Sequence, residues 1–203
     1  MLFEFDPKME QKAKLKVIGV GGAGGNAINR MIRADMTGVD FIAINTDAQD
    51  LENNSAEHRI QIGKTLTKGL GAGARSSIGH EAMTTDKEAV QNVIDSSDMV
   101  FITCGMGGGT GTGAAPVIAQ IANELGILTV GIVTLPFKFE GPRRLERAME
   151  GISEMKKVCD TVIIIPNQKL MSIVAVSYTH LRAHETDSYL VCRLLSEKKK
   201  GGG

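Results

Sequence analysis

The 203-residue sequence lacks an excess of charge of either sign. Lysine plus arginine and aspartate plus glutamate number 23 each, so the formal net charge is zero. A balanced chain gives no indication of a nucleic-acid surface or of a polybasic membrane anchor. The length predicts one domain, with room for an appendage, and it suffices to bury a core.

Cysteine is also scarce. Cys104, Cys159 and Cys192 are an odd number without CxxC spacing. Such a set fits a reducing compartment better than a disulfide framework or a zinc site. We therefore assign no metal ion to protein side chains.

A signal peptide and a long uninterrupted apolar run are missing as well. The N-terminal segment MLFEFDPKMEQKAKLK has no apolar signal core. The longest apolar region, residues 114–136, is interrupted by Gln120, Asn123 and Glu124, which is not typical of a membrane span. We expect a cytoplasmic chain without direct membrane insertion.

Glycine is abundant, and its densest cluster is GGGTGTG at residues 107–113. This cluster lies between an apolar run and a helix-like run. A glycine loop that ends a strand and opens a helix aims backbone N–H groups and the positive end of the helix dipole at one point, which favours a phosphate. The hydroxyls of Thr110 and Thr112 are candidate phosphate or cation contacts. A flexible linker, the alternative, typically has Gly/Ser repeats between polar segments.

Short apolar runs alternate with amphipathic patterns along the chain. This alternation predicts an α/β fold with a three-layer, Rossmann-like, mainly parallel sheet and helices on both faces. Ligands of such sheets bind at the carboxyl ends of the strands. The predicted strands are residues 16–20, 39–45, 59–62, 99–104, 127–136 and 161–166, and the predicted helices are residues 26–33, much of 76–95, 112–125 and 143–158.

A second glycine-rich segment, GVGGAGGN at residues 19–26, is predicted to be a loop after the first strand. It contains one G-x-G-x-x-G match, and Asp40 and Asp47 follow at the distance where dinucleotide folds place a ribose-binding acid. Alone, this pattern would predict NAD or FAD. The GGGTGTG cluster argues against that reading, because a dinucleotide fold gives no reason for a second phosphate loop of this kind. No P-loop pattern occurs in the sequence.

Six motifs, in their order and spacing, resemble those of the tubulin/FtsZ family. They are GVGGAGGN, NTDAQ (residues 45–49), GLGAGA (69–74), GGGTGTG, PFKFEG (136–141) and IPN (165–167). The resemblance implies the GTP-binding domain of a self-assembling, tubulin-like cytoskeletal GTPase of the bacterial division ring. GTP or GDP would be the ligand, with Mg²⁺ bound through the phosphates. The alternatives are a dinucleotide-binding Rossmann-type oxidoreductase domain and a pure assembly module.

The resemblance also assigns nucleotide contacts to individual residues. The alternatives are a solvated loop acid for Glu140, an exposed helix-start residue for Arg144, and a helix cap for Asn167. The implied contacts are Gly21, Gly22 and Asn26 in the first glycine segment, Ala72 and Gly73 beside the γ-phosphate, Gly108, Gly109, Thr110 and Gly111 around the α- and β-phosphates, Glu140 at the ribose hydroxyls, Arg144 near the phosphates, and Asn167 at the guanine edge.

The resemblance ends near Val174. Family members continue into a central helix, a loop with acidic residues and a second domain, whereas this sequence changes character from about Ala175. We expect a flexible extension at residues 1–11, a GTP-binding domain at 12–174, and a non-native or disordered tail at 175–203 that resembles translated sequencing-adaptor read-through. A natural divergent tail is the alternative.

Hydrolysis in this family is completed between subunits. The resemblance therefore places no catalytic residue in this chain. We expect the chain alone to bind guanine nucleotide weakly or not at all, without turnover at a family-like rate, and to expose an apolar patch on its sheet. The implied partners are further copies in a head-to-tail filament and the tethering and regulatory proteins of a mid-cell division ring.

Overall fold

The computed structural model, which describes residues 13–169, shows one parallel sheet. Its strands are β1 (Leu15–Val20), β2 (Asp40–Asn45), β3 (His58–Gln61), β4 (Met99–Gly105), β5 (Leu128–Leu135) and β6 (Thr161–Pro166). Every neighbouring pair is parallel, in the order β3-β2-β1-β4-β5-β6. The order reverses between β1 and β4, and such a switch point is where open α/β sheets bind ligands.

Helices connect the strands and cover both faces of the sheet. They are α1 (Gly21–Arg33), α2 (Ala48–Glu52), α3 (Lys64–Thr67), α4 (Ser76–Thr85), α5 (Lys87–Ile94), α6 (Thr110–Glu124) and α7 (Pro142–Val158), with a 3-10 turn at Lys138–Glu140. The predicted three-layer α/β class is confirmed. Within residues 13–169, no helix is both long enough and apolar enough to cross a membrane.

Several helix boundaries differ from the sequence prediction. The segment at residues 19–26 is not a loop, because α1 begins at Gly21 immediately after β1. Helix α6 begins at Thr110, inside the GGGTGTG cluster. The helical pattern at residues 76–95 is two helices, which meet at Asp86. The Asp86 carboxylate accepts a hydrogen bond from Gly63 N at 2.6 Å, so the break is tied to the turn after β3.

Two apolar layers hold the sheet. Helices α4 to α7 bury one face, where Ile18 and Ile102 of neighbouring strands are fully buried. Helix α1 buries the other face through Ile28 and Met31. Burial of each large apolar side chain contributes about 1.5–3 kcal/mol, so both layers are needed for a stable domain.

Val130, Ile132 and Ile165 of β5 and β6 share the α1 face and are buried, whereas Ile163 on the same face is partly buried. The exposed apolar patch stays a prediction, because the residues that follow β6 in sequence lie largely outside the described part of the chain. The tail predicted at residues 175–203 and the extension at 1–11 lie outside the described residues.

Glycines let α1 and α4 approach the carboxyl edge of the sheet. Gly19 of β1 and Gly24 of α1 lie so close that a Cβ on Gly19 would collide with the Gly24 carbonyl. A Cβ on Gly113 of α6 would collide with the Ser76 carbonyl and lie 2.6 Å from His80 N of α4. These contacts bring the N-terminal turns of α1, α4 and α6 close to the carboxyl edge of the sheet and to each other.

Candidate functional site

A cavity of about 680 Å³ opens at the carboxyl edge of the sheet, above the switch point between β1 and β4. Its walls come from the starts of α1, α6 and α7 and from the segments after β2, β3 and β6. All twelve residues to which the family resemblance assigns a nucleotide contact line this cavity: Gly21, Gly22, Asn26, Ala72, Gly73, Gly108, Gly109, Thr110, Gly111, Glu140, Arg144 and Asn167.

The N-terminus of α6 forms one wall of the cavity. This helix begins at Thr110 with no side-chain cap and no acidic residue in its first turn. Its first backbone bond runs from Gly113 N to Gly109 O at 3.1 Å. The N–H groups before Gly113 thus have no acceptor within the helix. Together with the dipole of a 15-residue helix, they favour an anion.

A second helix N-terminus points at the same space. Helix α1 begins at Gly21, also with no side-chain cap and no acidic residue in its first turn. Gly21 has a positive φ of 70°, and a Cβ there would lie 3.2 Å from Gly111 N. Glycine is therefore required where the two helices meet. Convergence of two positive helix ends makes this part of the cavity a cradle for a polyanion.

The loop before α4 closes the cradle from a third side. Gly109 N donates to Gly73 O at 2.8 Å, and a Cβ on Gly109 would lie 2.9 Å from Ala72 Cβ. The Gly109 N–H is thus engaged within the protein and is not among the donors offered to a ligand. Gly108, by contrast, has no atom within 4 Å of a Cβ position, so its backbone faces open space.

The two threonines of the GGGTGTG cluster have different environments. The Thr112 hydroxyl accepts from Gly107 N at 2.8 Å and does not line the cavity. Its predicted contact with a phosphate or cation is therefore wrong, because the hydroxyl closes the turn that precedes α6. Thr110 lines the cavity, and its Oγ1 lies 2.7 Å from Oγ1 of Thr46.

Glu140 and Arg144 form a second wall. The Glu140 carboxylate accepts from Phe137 N at 2.8 Å through Oε1 and lies 2.6 Å from Arg144 Nη1 through Oε2. The Glu140 side chain is only 19% exposed, so it is not a solvated loop acid. Arg144 is 45% exposed and lies in the first turn of α7. Arg144 also lines the cavity while its guanidinium is paired with Glu140.

Asn167 lies at the far end of the cavity, directly after β6. Its side chain is almost fully buried, although it lines the cavity. Phe137 and Phe139, which follow β5, also line the cavity, with their rings stacked at a centroid separation of 5.0 Å. The amide and the two aromatic rings differ in chemistry from the helix N-termini, so the cavity wall combines anion-binding groups with groups that suit a planar ligand.

The end of β2 and the segment after it contribute residues that are not among the twelve nucleotide contacts implied by the resemblance, although Asp47 was considered as a ribose-binding acid. Asn45, Asp47 and Asp50 line the cavity. Asp47 caps α2 by accepting from Gln49 N and Asp50 N, and Asn45 Nδ2 donates to Asp50 at 3.2 Å. An Asp before a short helix is a recognisable cap signal. The alternative that Asp40 is a ribose-binding acid is wrong, because Asp40 begins β2 and so lies at the amino end of the strands, away from the cavity.

The described residues contain no cluster of side chains that could ligate a metal ion. Within residues 13–169, no group of three or more His, Cys, Asp or Glu side chains is placed to hold a metal ion. Asp50 lies near the start of α1, because a Cβ on Gly22 would be 3.0 Å from Asp50 Oδ2. Asp47 lies beside Gly71, whose Cβ position is 3.5 Å from Asp47 Oδ2.

Taken together, fold and cavity define a doubly wound α/β domain with an anion cradle at its switch point. A model of the Tubulin/FtsZ family, GTPase domain, matches residues 14–175. The chain belongs to the Tubulin/FtsZ family. This membership does not support the alternative of a dinucleotide-binding oxidoreductase.

Solved structures agree with this assignment. An empty FtsZ dimer from M. jannaschii is 48% identical with a TM-score of 0.86, over 91% of this chain and 53% of that chain. CetZ2 from Haloferax volcanii, a GTPγS-bound protofilament, is 25% identical with a TM-score of 0.79, over 89% and 56%. CetZ1 from the same organism, a GDP-bound monomer, has the same identity and TM-score, over 89% and 58%. The chain thus spans little more than half the length of these relatives.

Proposed function

We propose that the cavity binds a guanine nucleotide, GTP or GDP, with its phosphates at the N-termini of α6 and α1. The observation that carries this proposal is the convergence of two uncapped helix N-termini at the switch point of a parallel sheet. Backbone N–H groups there provide donors for phosphate oxygens, which accept and never donate. Membership of a GTPase-domain family supports the choice of nucleotide.

The opposite end of the cavity would recognise the nucleoside. Glu140 offers two carboxylate oxygens as acceptors for the ribose diol. Asn167 has an amide that donates and accepts at once, which suits the edge of guanine. Arg144 would leave its bond with Glu140 in part and contribute positive charge near the phosphates.

Mg²⁺ would be held mainly through the phosphate oxygens. This ion prefers oxygen ligands and retains waters. Asp47 and Asp50 lie where they would receive hydrogen bonds from such waters. A bound Mg²⁺ would neutralise phosphate charge, while the chain's own residues orient the nucleotide.

We further propose that this chain alone does not hydrolyse GTP at a family-like rate. Among residues 13–169, three carboxylates line the cavity, and each already has partners. Asp47 caps α2, Asp50 accepts from Asn45, and Glu140 is held by Phe137 and Arg144. Phosphoryl transfer also needs a positioned and polarised water. The acidic group that polarises this water would come from a second copy in a head-to-tail filament. Such filaments would be part of a division ring at mid-cell, with tethering and regulatory partners.

Thermal unfolding with different nucleotides tests the proposal. A ligand that binds only the folded state stabilises it by about 1.4 kcal/mol at ten times its dissociation constant. Millimolar GDP or GTP with Mg²⁺ should raise the melting temperature of the 203-residue chain, because weak binding is then close to saturation. NAD and ATP at the same concentration serve as controls and should leave the melting temperature unchanged.

The opposite pattern would reject the assignment. Protection by NAD without protection by GDP would indicate a dinucleotide site. Protection by neither would leave the cavity without a nucleotide. Phosphate release from GTP by the purified chain, at the rate of intact family members, would contradict the proposal on hydrolysis alone.

A further inference from the structure

Two threonine hydroxyls form a buried hydrogen bond at the wall of the cavity. Thr46 follows the last residue of β2, and Thr110 is the first residue of α6. Their Oγ1 atoms are 2.7 Å apart, and either could donate. Thr46 is fully buried and does not line the cavity, whereas Thr110 is 9% exposed and does.

This asymmetry of burial decides which hydroxyl donates. Within the described part of the chain, the Thr46 hydroxyl has Thr110 as its hydrogen-bond partner and no other. If Thr110 donated to Thr46, the Thr46 hydrogen would be buried without an acceptor, which is costly. If Thr46 donates to Thr110, the Thr46 hydrogen is bonded to the Thr110 oxygen. The Thr110 hydrogen is then available to an acceptor in the cavity, which Thr110 lines.

The position of Thr46 is itself fixed by the fold. Its carbonyl accepts from Oγ1 of Thr67 at 3.2 Å, and that hydroxyl also lies 3.1 Å from Gly63 O. Thr46 thus connects the end of β2 with α3. Its hydroxyl cannot follow the ligand and acts on it only through Thr110.

We infer that Thr46 is a positioning residue whose buried hydroxyl donates to Thr110 and leaves the Thr110 hydrogen for a phosphate oxygen. The inference rests on the proposed nucleotide site. A phosphate oxygen is an acceptor without a hydrogen, so it pairs with a hydroxyl that is held as a donor. In the proposed orientation, the nucleoside part of the ligand places no acceptor oxygen at the start of α6, so Thr110 would contact only the phosphates.

The test compares GDP with guanosine, titrated against the 203-residue chain and followed by NMR, which detects weak binding. Thr46→Val keeps the shape and removes the donor. We expect it to weaken GDP binding about tenfold, because a hydrogen bond to a charged group loses its orientation. Guanosine binding should change less than about twofold. Thr46→Ser, which restores the hydroxyl, should bind GDP like the wild type.

A double-mutant cycle separates positioning from general damage. Thr110→Val should weaken GDP binding, and the double variant Thr46→Val, Thr110→Val should be no weaker than Thr110→Val alone, since Thr46 acts through Thr110. Thr129→Val is the matched control. Thr129 is also fully buried, and its hydroxyl donates to Ile127 O at 2.9 Å. It is the second residue of β5, so it lies at the amino end of the strands, away from the cavity. It should leave both ligands unaffected.

Each outcome supports or overturns the inference. Equal losses for GDP and guanosine in Thr46→Val, additive losses in the double variant, or an unchanged GDP affinity would overturn it while leaving the nucleotide site intact. A wild-type chain that binds no GDP would overturn the nucleotide site and this inference with it. If Thr46→Val does not fold, Thr46→Ala, which introduces no larger group, is compared with Thr46→Ser by the same two titrations.

Discussion

At the residue scale, glycines around the cavity are required by neighbouring backbone atoms. Gly113 is inside α6, where alanine would ordinarily favour the helix by up to about 1 kcal/mol. A Cβ at this position would instead collide with the Ser76 carbonyl of α4. We predict that Gly113→Ala destabilises the protein by about 2 kcal/mol, because backbone cannot yield as a side chain does. Chemical denaturation measures this change.

A neighbouring glycine provides the control for that substitution. Gly108 has no atom within 4 Å of its Cβ position. Gly108→Ala should therefore change the free energy of unfolding by less than about 0.5 kcal/mol. Equal stability losses in both variants would contradict the argument from close approach.

Two thiols on the α7 side of the sheet give a pH-dependent prediction. Burial raises the pKa of Cys104 from 9.0 to about 12, with a smaller contribution from Cys159. Burial, and then the charge of Asp160, raises the pKa of Cys159 to about 11. The unfolded thiols ionise near pH 9 and the folded ones later. The free energy of unfolding should thus be level below pH 9 and fall as the pH rises toward 12.

The slope of the free energy of unfolding against pH shows how much of the alkaline loss of stability is due to each thiol. Cys104 should contribute up to about 1.4 kcal/mol per pH unit in this window. Urea denaturation at pH 8 and pH 10.5, in a Cys192→Ser background, measures the fall. Cys104→Ala should lower stability at pH 8 but flatten the pH dependence. A slope unchanged by Cys104→Ala would show that other groups cause the alkaline loss.

At the scale of the element, the sequence predicted strands better than helix starts. Apolar runs bounded by glycine or proline located all six strands within two residues. The starts of α1 and α6 were placed too late, because glycine and threonine have low helix propensity. Tertiary packing overrides that propensity here, since the glycines allow α1 to contact β1 and α6 to contact α4. The glycine clusters therefore form helix N-termini, at which we propose that the phosphates bind.

The first turn of α7 allows binding to be separated from stability. Arg144 is 45% exposed and pairs with the less exposed Glu140, and an ion pair with one solvated partner contributes little to folding. We predict that Arg144→Ala changes the free energy of unfolding by less than about 0.5 kcal/mol. It should nevertheless weaken GDP binding by about tenfold, because a charged contact to phosphate is lost. Calorimetric titration of GDP measures the affinity.

Arg143 is the matched control in the same turn. It is exposed, carries the same charge and does not line the cavity. Arg143→Ala should leave GDP affinity within about twofold of the wild type. If both arginine variants weaken binding equally, the effect is one of general charge and not of the contact that we propose.

At the scale of the whole molecule, the sequence predicted the fold class and twelve residues of the cavity wall, but not Asn45, Asp50 or the hydrogen bonds of the wall. Residues from six separate motifs meet above one switch point, because parallel strands bring their carboxyl ends to one edge. Pattern alone could not show that Gly109 N is engaged by Gly73 or that the Thr112 hydroxyl closes a turn. The first bond depends on how the segments before α4 and α6 meet, and the second on the backbone conformation of the turn before α6; spacing along the chain encodes neither.

The central claim is that this cavity holds a guanine nucleotide in one orientation. A crystal structure of the 203-residue chain with GDP tests it most directly. Our account predicts the diphosphate at the N-termini of α6 and α1, the ribose at Glu140 and the guanine edge at Asn167. GDP bound in the reverse orientation, or bound elsewhere with this cavity empty, would contradict it.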